Sequence, residues 1–296
     1  MNKAIRTISR AELLFRNNGI HVYCLHTDSV LSLIHELTTV LSNDEIDKVN
    51  RFIFEKDRIT HTVSQGMLRY ILGTYLNLNP EEIIFNQNEY GKPFISEEQN
   101  PDNIQFNLSH SGDMIIYAIS KGRNVGIDIQ KIKDSGSIAD IVDHYFSETE
   151  KAAFRSLPDE QKLSGFHSCW ARKEAYIKAL GFGLSYPLNS FSMPVTPEYS
   201  SAVIYDDYKT AYTVTDIITS SGYAAAVAAE GIDAELQYFE WSVCDNNAII
   251  NNHNKLKTDC ARTGCSPAAL KQDVLIKSSR VAVAPRNECE TENIHE

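Results

Sequence analysis

No stretch of the chain approaches the roughly 18 apolar residues needed to cross a bilayer. Its best apolar run, Tyr223 to Ala229, is bounded by Gly222 and Glu230 and reads as a strand. The opening segment, Met1 to Ile20, lacks the apolar block of a secretory signal. It sets Lys3, Arg6, Arg10 and Arg16 against a single acid, Glu12, and fits a frayed basic terminus better than an organelle transit peptide. A cytoplasmic location is the default expectation. Excess positive charge is also missing. The formal net charge of −11 argues against a nucleic-acid binder whose affinity comes from phosphate neutralisation. An acidic protein can still bind a phosphorylated small molecule if its basic groups are gathered locally. The six cysteines, Cys24, Cys169, Cys244, Cys260, Cys265 and Cys289, form no disulfide framework and no cluster with zinc spacing.

What is present is ordinary globular composition. The 296 residues, 43% hydrophobic and 23% charged, suffice for one large domain or two modest ones. A helical pattern runs from Val30 to Leu41, and Ser42 with Glu45 forms a capping-box signature for a helix through Phe54. Ile59, Val63, Met67 and Ile71 carry helical spacing through a third helix, Asp57 to Leu76. Asn79-Pro80 ends it, Ile83 to Phe85 reads as a strand, and Asn88 to Gly91 as a turn. Ile104, Phe106 and Leu108 alternate with polar residues in a half-buried strand. Ser109 to Gly112 is its expected turn, Met114 to Ile119 the return, and Asn124 to Ile132 a third strand after the turn Lys121 to Arg123.

The second half repeats the plan. Ser147 and Glu150 form another capping box, Leu157-Pro158 interrupts, and a long helix from about Asp159 to Leu180 stops at Gly181. A hairpin from Ala211 to Ala229 turns at Ser220-Ser221-Gly222. The expected organisation is an extension (1–20), an N-terminal half (21–123), a C-terminal half (124–241) and a loosely ordered tail (242–296). This is an α+β plan with a degenerate duplication.

Two features carry chemistry. Period two places Gly126, Asp128 and Gln130 on one strand face, with Val125, Ile127 and Ile129 on the other. An acid mid-strand is unfavourable for strand propensity, and glycine at 126 lets something approach the backbone closely. On the long helix Leu163, Phe166, Trp170 and Ile177 share a stripe roughly 60° wide, and Glu174 lies at its edge. A carboxylate there needs a partner. Lys178, one turn on, is either its helical salt-bridge partner or a group aimed at an anionic ligand, with Asp128 and Glu174 sharing a hard cation. Lys48, Arg51, Lys56 and Arg58 cluster at the second and third helices, Lys92 follows Gly91, and His110 sits among hydroxyls.

These residues match a family. Asn124-Val125-Gly126-Ile127-Asp128-Ile129-Gln130, followed by Trp170-Ala171-Arg172-Lys173-Glu174-Ala175-Tyr176-Ile177-Lys178-Ala179-Leu180-Gly181, closely resembles the 4′-phosphopantetheinyl transferases of the surfactin-synthetase-activating type. Tyr90-Gly91-Lys92-Pro93, Phe106 to Ser111 and Phe146-Ser147 support it in order, and the resemblance spans about Asn43 to Met193. It implies two similar α+β halves related by a pseudo-twofold axis, with coenzyme A between them. It implies Mg²⁺ at Asp128 and Glu174, coenzyme phosphates at Ser109 and His110, and a 3′-phosphate near Lys48. Arg51 and Arg58 complete that basic cluster. Lys92 falls on the adenine side and Lys178 at the pyrophosphate. Asp128, Glu174 and Lys178 are then catalytic, with Glu174 the candidate base. The implied acceptor is a serine of an apo carrier protein from fatty-acid, polyketide, peptide-synthetase or lysine pathways, and an internal duplication favours a monomer. Where the family usually has a second acid this chain has Gln130, whose amide oxygen can ligate a cation or its water without adding charge. A non-catalytic carrier or coenzyme binder and a magnesium-dependent phosphodiester hydrolase are the competing readings.

Overall fold

The computed structural model describes residues 15, 19–134, 136, 138–244 and 247–252. The first half begins with β1 (Gly19–His26), a 3-10 stretch (Thr27–Leu33), α1 (Ile34–Thr39) and α2 (Asn43–Arg51). It continues through α3 (Glu55–Leu76), the hairpin β2 (Phe85–Gln87) and β3 (Pro93–Ile95), then β4 (Ile104–Ser111) and β5 (Met114–Lys121). The second half runs β6 (Val125–Lys131), α4 (Ile138–Tyr145), α5 (Glu148–Ser156), α6 (Asp159–Leu180), β7 (Ser201–Tyr205), β8 (Ala211–Asp216) and β9 (Tyr223–Glu230). Finally β10 (Glu235–Cys244) and β11 (Asn247–Asn252) close the described chain.

The duplication is visible in local chemistry. Ser42 and Glu45 form the reciprocal capping box of α2, and Ser147 and Glu150 that of α5. Each capped helix has nine residues, ends in an extended residue (Phe52, Leu157), and is followed by a 22-residue helix. Both long helices stop at a left-handed C-cap, Asn77 in α3 and Gly181 in α6. Sheet order repeats too: β1-β5-β4 in the first half and β6-β9-β8 in the second, with β7 added outside β8.

Three apolar clusters stack these parts. Val63, Met67 and Ile71 of α3 pack on Tyr23, Phe106 and Tyr117 of the first sheet. Phe166, Ala175 and Ala179 of α6 pack on Val214, Ala226 and Ala228 of the second. Between the sheets lie Ile20, Val22 and Ile116 against Val125, Ile127, Ile129 and Val227. The order is helix, sheet, sheet, helix.

Several expectations are corrected. Ser109, His110 and Ser111 are the last residues of β4 and not its turn, which is confined to Gly112 and Asp113. The second helix stops at Arg51, with Phe52 already extended. Residues 138–145 form α4, which no cap or long periodic pattern announced. The boundary at residue 241 falls inside β10, which leaves the second half and joins the first sheet, paired in parallel with β1 and extending the order to β11-β10-β1-β5-β4. The rest of the tail beyond β11, and most of the N-terminal extension, lie outside the described residues.

The halves meet edge to edge. β4 and β6 are edge strands of different sheets and share no backbone ladder. Instead alternate side chains of β4 accept the backbone N–H groups of β6: Asn107 Oδ1 from Ile127 (2.9 Å), Ser109 Oγ from Ile129 (3.4 Å) and Ser111 Oγ from Lys131 (2.9 Å). The period-two spacing of these polar residues satisfies donors that an edge strand would leave open. At the far end of this seam Tyr223 bonds Asp113 from across the halves.

Candidate functional site

The alternation along β6 turns Val125, Ile127 and Ile129 into the core between the sheets, all fully buried. The opposite face, Gly126 and Asp128, meets α6. A Cβ at Gly126 would lie well inside contact distance of the Ala175 carbonyl and the Ala179 nitrogen. The backbone that approaches this glycine is therefore the helix itself. That approach places the Glu174 and Lys178 turn of α6 over Asp128.

Asp128 is 2% exposed and fully engaged. Its Oδ1 accepts from Lys178 Nζ at 2.6 Å and from Ser109 Oγ at 2.8 Å, and its Oδ2 from the Gln130 amide at 2.7 Å. Lys178 also reaches Ser109 Oγ (3.2 Å) and the Ile127 carbonyl (3.3 Å). The lysine thus turns across to the strand, and its ion pair is with Asp128. Glu174 is half-buried. Desolvation raises its pKa first, the Asp128 carboxylate raises it further, and Lys178 partly opposes both.

His110 continues the site toward the first half. Burial lowers its pKa, as does Lys178, while Asp57 and Asp128 pull the other way. Beyond it stands His61 of α3, 92% buried by the 8% exposure it retains, with its pKa pushed down to about 4. Burial is the main cause, followed by the charges of Lys48 and His110. Lys48 and Lys178 thus flank the His61–His110 pair closely enough to lower the imidazole pKa values, while Glu45, Asp57 and Asp128 act in the opposite direction. His61 was not among the sequence candidates; the only signal was a polar Thr60-His61-Thr62 run inside a buried helix.

The remaining candidates are placed differently. Arg58 Nη1 is held by the carbonyls of Phe52 (2.8 Å) and Ile53 (3.3 Å), capping the end of α2. Arg51 is exposed at that helix end. Lys92 Nζ lies between the Val125 and Ala179 carbonyls at 3.1 Å each, and burial takes its pKa down to about 8. Lys173, inside the matching helix motif, points away from the site. It is fully buried against Glu150, with both carboxylate oxygens at 2.7 Å. A cavity of about 320 Å³ opens between Leu31, Lys56, Thr60 and the Gly112-Asp113 turn; Lys56 of the basic cluster lines it, but neither Asp128, Glu174 nor Lys178 does.

Among the described residues no group of three or more His, Cys, Asp and Glu side chains is assembled around a common point. Two carboxylates remain, one disfavoured by the other, together with the Gln130 amide. That donor set suits a hard cation with oxygen ligands, which takes one or two protein carboxylates.

Two family descriptions match the chain in tandem. The 4′-phosphopantetheinyl transferase superfamily matches residues 124–228, and the N-terminal region of 4′-phosphopantetheinyl transferase matches residues 30–122. The chain is 30% identical to the 4′-phosphopantetheinyl transferase HetI of Nostoc sp. over 229 residues, 77% of this chain and 95% of HetI. It is 34% identical over 173 residues to the 4′-phosphopantetheinyl transferase gsp of Aneurinibacillus migulanus, 58% of this chain and 69% of gsp. It is 29% identical over 210 residues to the 4′-phosphopantetheinyl transferase Sfp of Bacillus subtilis, 70% of this chain and 91% of Sfp.

Proposed function

Because the chain belongs to the 4′-phosphopantetheinyl transferase family, we infer that it moves the phosphopantetheine arm of coenzyme A onto a serine of an apo carrier protein, releasing adenosine 3′,5′-bisphosphate. The observation that carries the reading is the convergence of Asp128, Glu174 and Lys178 on the seam between the halves, with Ser109 and His110 beside them.

The site chemistry follows from these groups. The serine hydroxyl oxygen attacks the phosphorus that bears pantetheine. A new O–P bond forms, and the P–O bond to the adenosine bisphosphate breaks. Glu174, whose carboxylate is made more basic by burial and by Asp128, accepts the hydroxyl proton directly or through water. Lys178 faces the charge that gathers on the departing oxygen. Lys48, His61 and His110 form the anion-binding side, where a 3′-phosphate would find positive charge and imidazole donors.

Asp128, Glu174 and Gln130 are the residues that would hold Mg²⁺, which when bound supplies charge neutralisation at the pyrophosphate. The side chains present fit such an ion in kind. Asp128 would offer Oδ2, with Lys178 kept on Oδ1, once the Gln130 amide turns its oxygen inward, since its nitrogen now faces Oδ2. Gln130 in place of an acid weakens the site without abolishing it. Substituting Gln130→Glu and titrating Mg²⁺ tests this, and an unchanged requirement removes Gln130 from the ligand set.

The enzyme acts as a cytoplasmic monomer on carriers of fatty-acid, polyketide or peptide assembly. Among the described residues no helix is long and apolar enough to cross a membrane. The test is to supply coenzyme A and Mg²⁺ with and without an apo carrier. Release of adenosine 3′,5′-bisphosphate only when the carrier is present supports transfer. Release without it overturns the reading in favour of hydrolysis, and carrier binding with no release overturns it in favour of a non-catalytic binder.

A further inference from the structure

The β2–β3 hairpin belongs to the first half, yet its tip meets the second half at three points. The Asn88 amide donates to the Gly181 carbonyl at 2.8 Å. The Lys92 ammonium donates to the Val125 and Ala179 carbonyls, each at 3.1 Å. The Tyr90 ring meets Phe182 edge-on, centroids 5.3 Å apart. Asn88 Oδ1 also accepts the backbone N–H groups of Tyr90 (3.0 Å) and Lys92 (2.8 Å), which stiffens the tip.

The partners on the other side are not arbitrary. Gly181 ends α6 in the left-handed region, φ 81°, so the carbonyls of the last turn have no partners further along the helix. Cationic and amide donors satisfy them and match the negative end of the helix dipole. Val125 opens β6, three residues before Asp128, and Ala179 directly follows Lys178. Gly126 lies at the same crossing, where strand and helix backbones touch. One ammonium therefore ties together the two elements that carry the candidate base, the lysine and the aspartate. Taking that charge out of water is unfavourable, as its lowered pKa indicates, so the contact persists because the two carbonyls compensate it.

We propose that Lys92 is a positioning residue: its ammonium holds α6 against β6 at the spacing that puts Lys178 on Asp128 and Glu174 beside them. The proposal rests on the transferase reading of that site. It differs from a direct coenzyme contact by Lys92, because the side chain acts through α6 and not on the ligand.

The experiment compares wild type, Lys92→Met, which keeps the stem without donors, and Lys92→Arg, which keeps a cationic donor. Steady-state transfer to an apo carrier is read with coenzyme A varied, alongside hydrogen exchange of the segment spanning residues 175–182 without ligands. The expected result for Lys92→Met is a kcat at least tenfold lower, a KM for coenzyme A within threefold, and faster exchange confined to that segment. Lys92→Arg should recover part of kcat. A kcat within twofold of wild type overturns the proposal. So does a defect confined to KM with exchange unchanged, the signature of direct ligand contact. If Lys92→Met does not fold, Lys92→Gln, a shorter neutral donor, is read by the same criteria. A wild-type protein that modifies no carrier would sink the transferase reading instead, while the exchange comparison would still decide the clasp.

Discussion

The Lys178 ammonium lies 2.6 Å from Asp128 Oδ1, so a helix of the second half reaches past its own Glu174 to pair with an acid on the strand beneath it. A one-turn salt bridge on α6 would have been the simpler use of this lysine. Burial raises the Glu174 pKa, the like charge of Asp128 beside it raises it further, and Lys178 partly opposes both.

That relationship fixes the pH dependence. A base must be deprotonated to act, so the acid limb of kcat/KM reports the Glu174 pKa. Removing the like charge in Asp128→Asn should move that limb to lower pH, because Asp128 raises Glu174. Removing the opposing charge in Lys178→Met should move it to higher pH. Both variants lose activity, and Glu174→Gln should lose about 10²–10⁴-fold, the usual worth of a general base. pH–rate profiles of the three variants check these signs, and a limb that stays fixed in Asp128→Asn removes Glu174 as the base.

Gly126→Ala should be disproportionately harmful. The added methyl meets the backbone of Ala175 and Ala179, which cannot turn aside as a side chain could. Overpacking of this kind costs about 1–3 kcal/mol and displaces α6. Urea unfolding should give that loss, with transfer activity falling further than the stability change alone would produce.

Lys173→Met should cost about 3–5 kcal/mol, because it strands a buried carboxylate. Glu150 also accepts the N–H groups of Ser147 and Met193, at 2.7 Å each, so it cannot swing out to water without leaving those donors unpaired. Adding Glu150→Gln, which keeps an acceptor, should recover part of the loss. Thermal melts of the single and double variants measure the coupling.

Two buried histidines contribute to the acid side of the stability profile. His21 and His61 both fall to about 4 in the folded chain, chiefly by burial. Their pKa is depressed below the unfolded value of about 6.5, so the unfolded state binds more protons between those limits. Their contribution is fully present above about pH 6.5 and declines as pH falls toward 4. Unfolding free energies measured between pH 4 and 7 should fall on acidification, and His61→Phe should shallow the slope.

Much of this was legible locally. The capping boxes at Ser42 and Ser147, the apolar spacing of α3 and α6, and the alternation of β6 each reside in a few neighbouring residues. Asp128 and Glu174 stood out because an acid mid-strand and an acid at the edge of an apolar stripe both need partners. What stayed hidden depends on distant partners. The pairing of β10 with β1 joins residues from opposite ends of the described chain, and Lys92 finds its carbonyls on elements 33 and 87 residues away. Lys173 adjoins Glu174 in sequence, but about 100° of helical rotation sends it to Glu150, and spacing alone names no such partner. The hydroxyls of Ser109 and Ser111 read as a turn because turns favour serine; they are instead the acceptors that replace a missing ladder.

The most direct measurement is the intact mass of an apo carrier after incubation with coenzyme A and Mg²⁺, with wild type and with Asp128→Ala. Two carboxylates brought together across a helix and a strand should give one added phosphopantetheine per carrier with the wild type and little with the variant. Equal modification by both proteins would contradict the placement of the chemistry at Asp128.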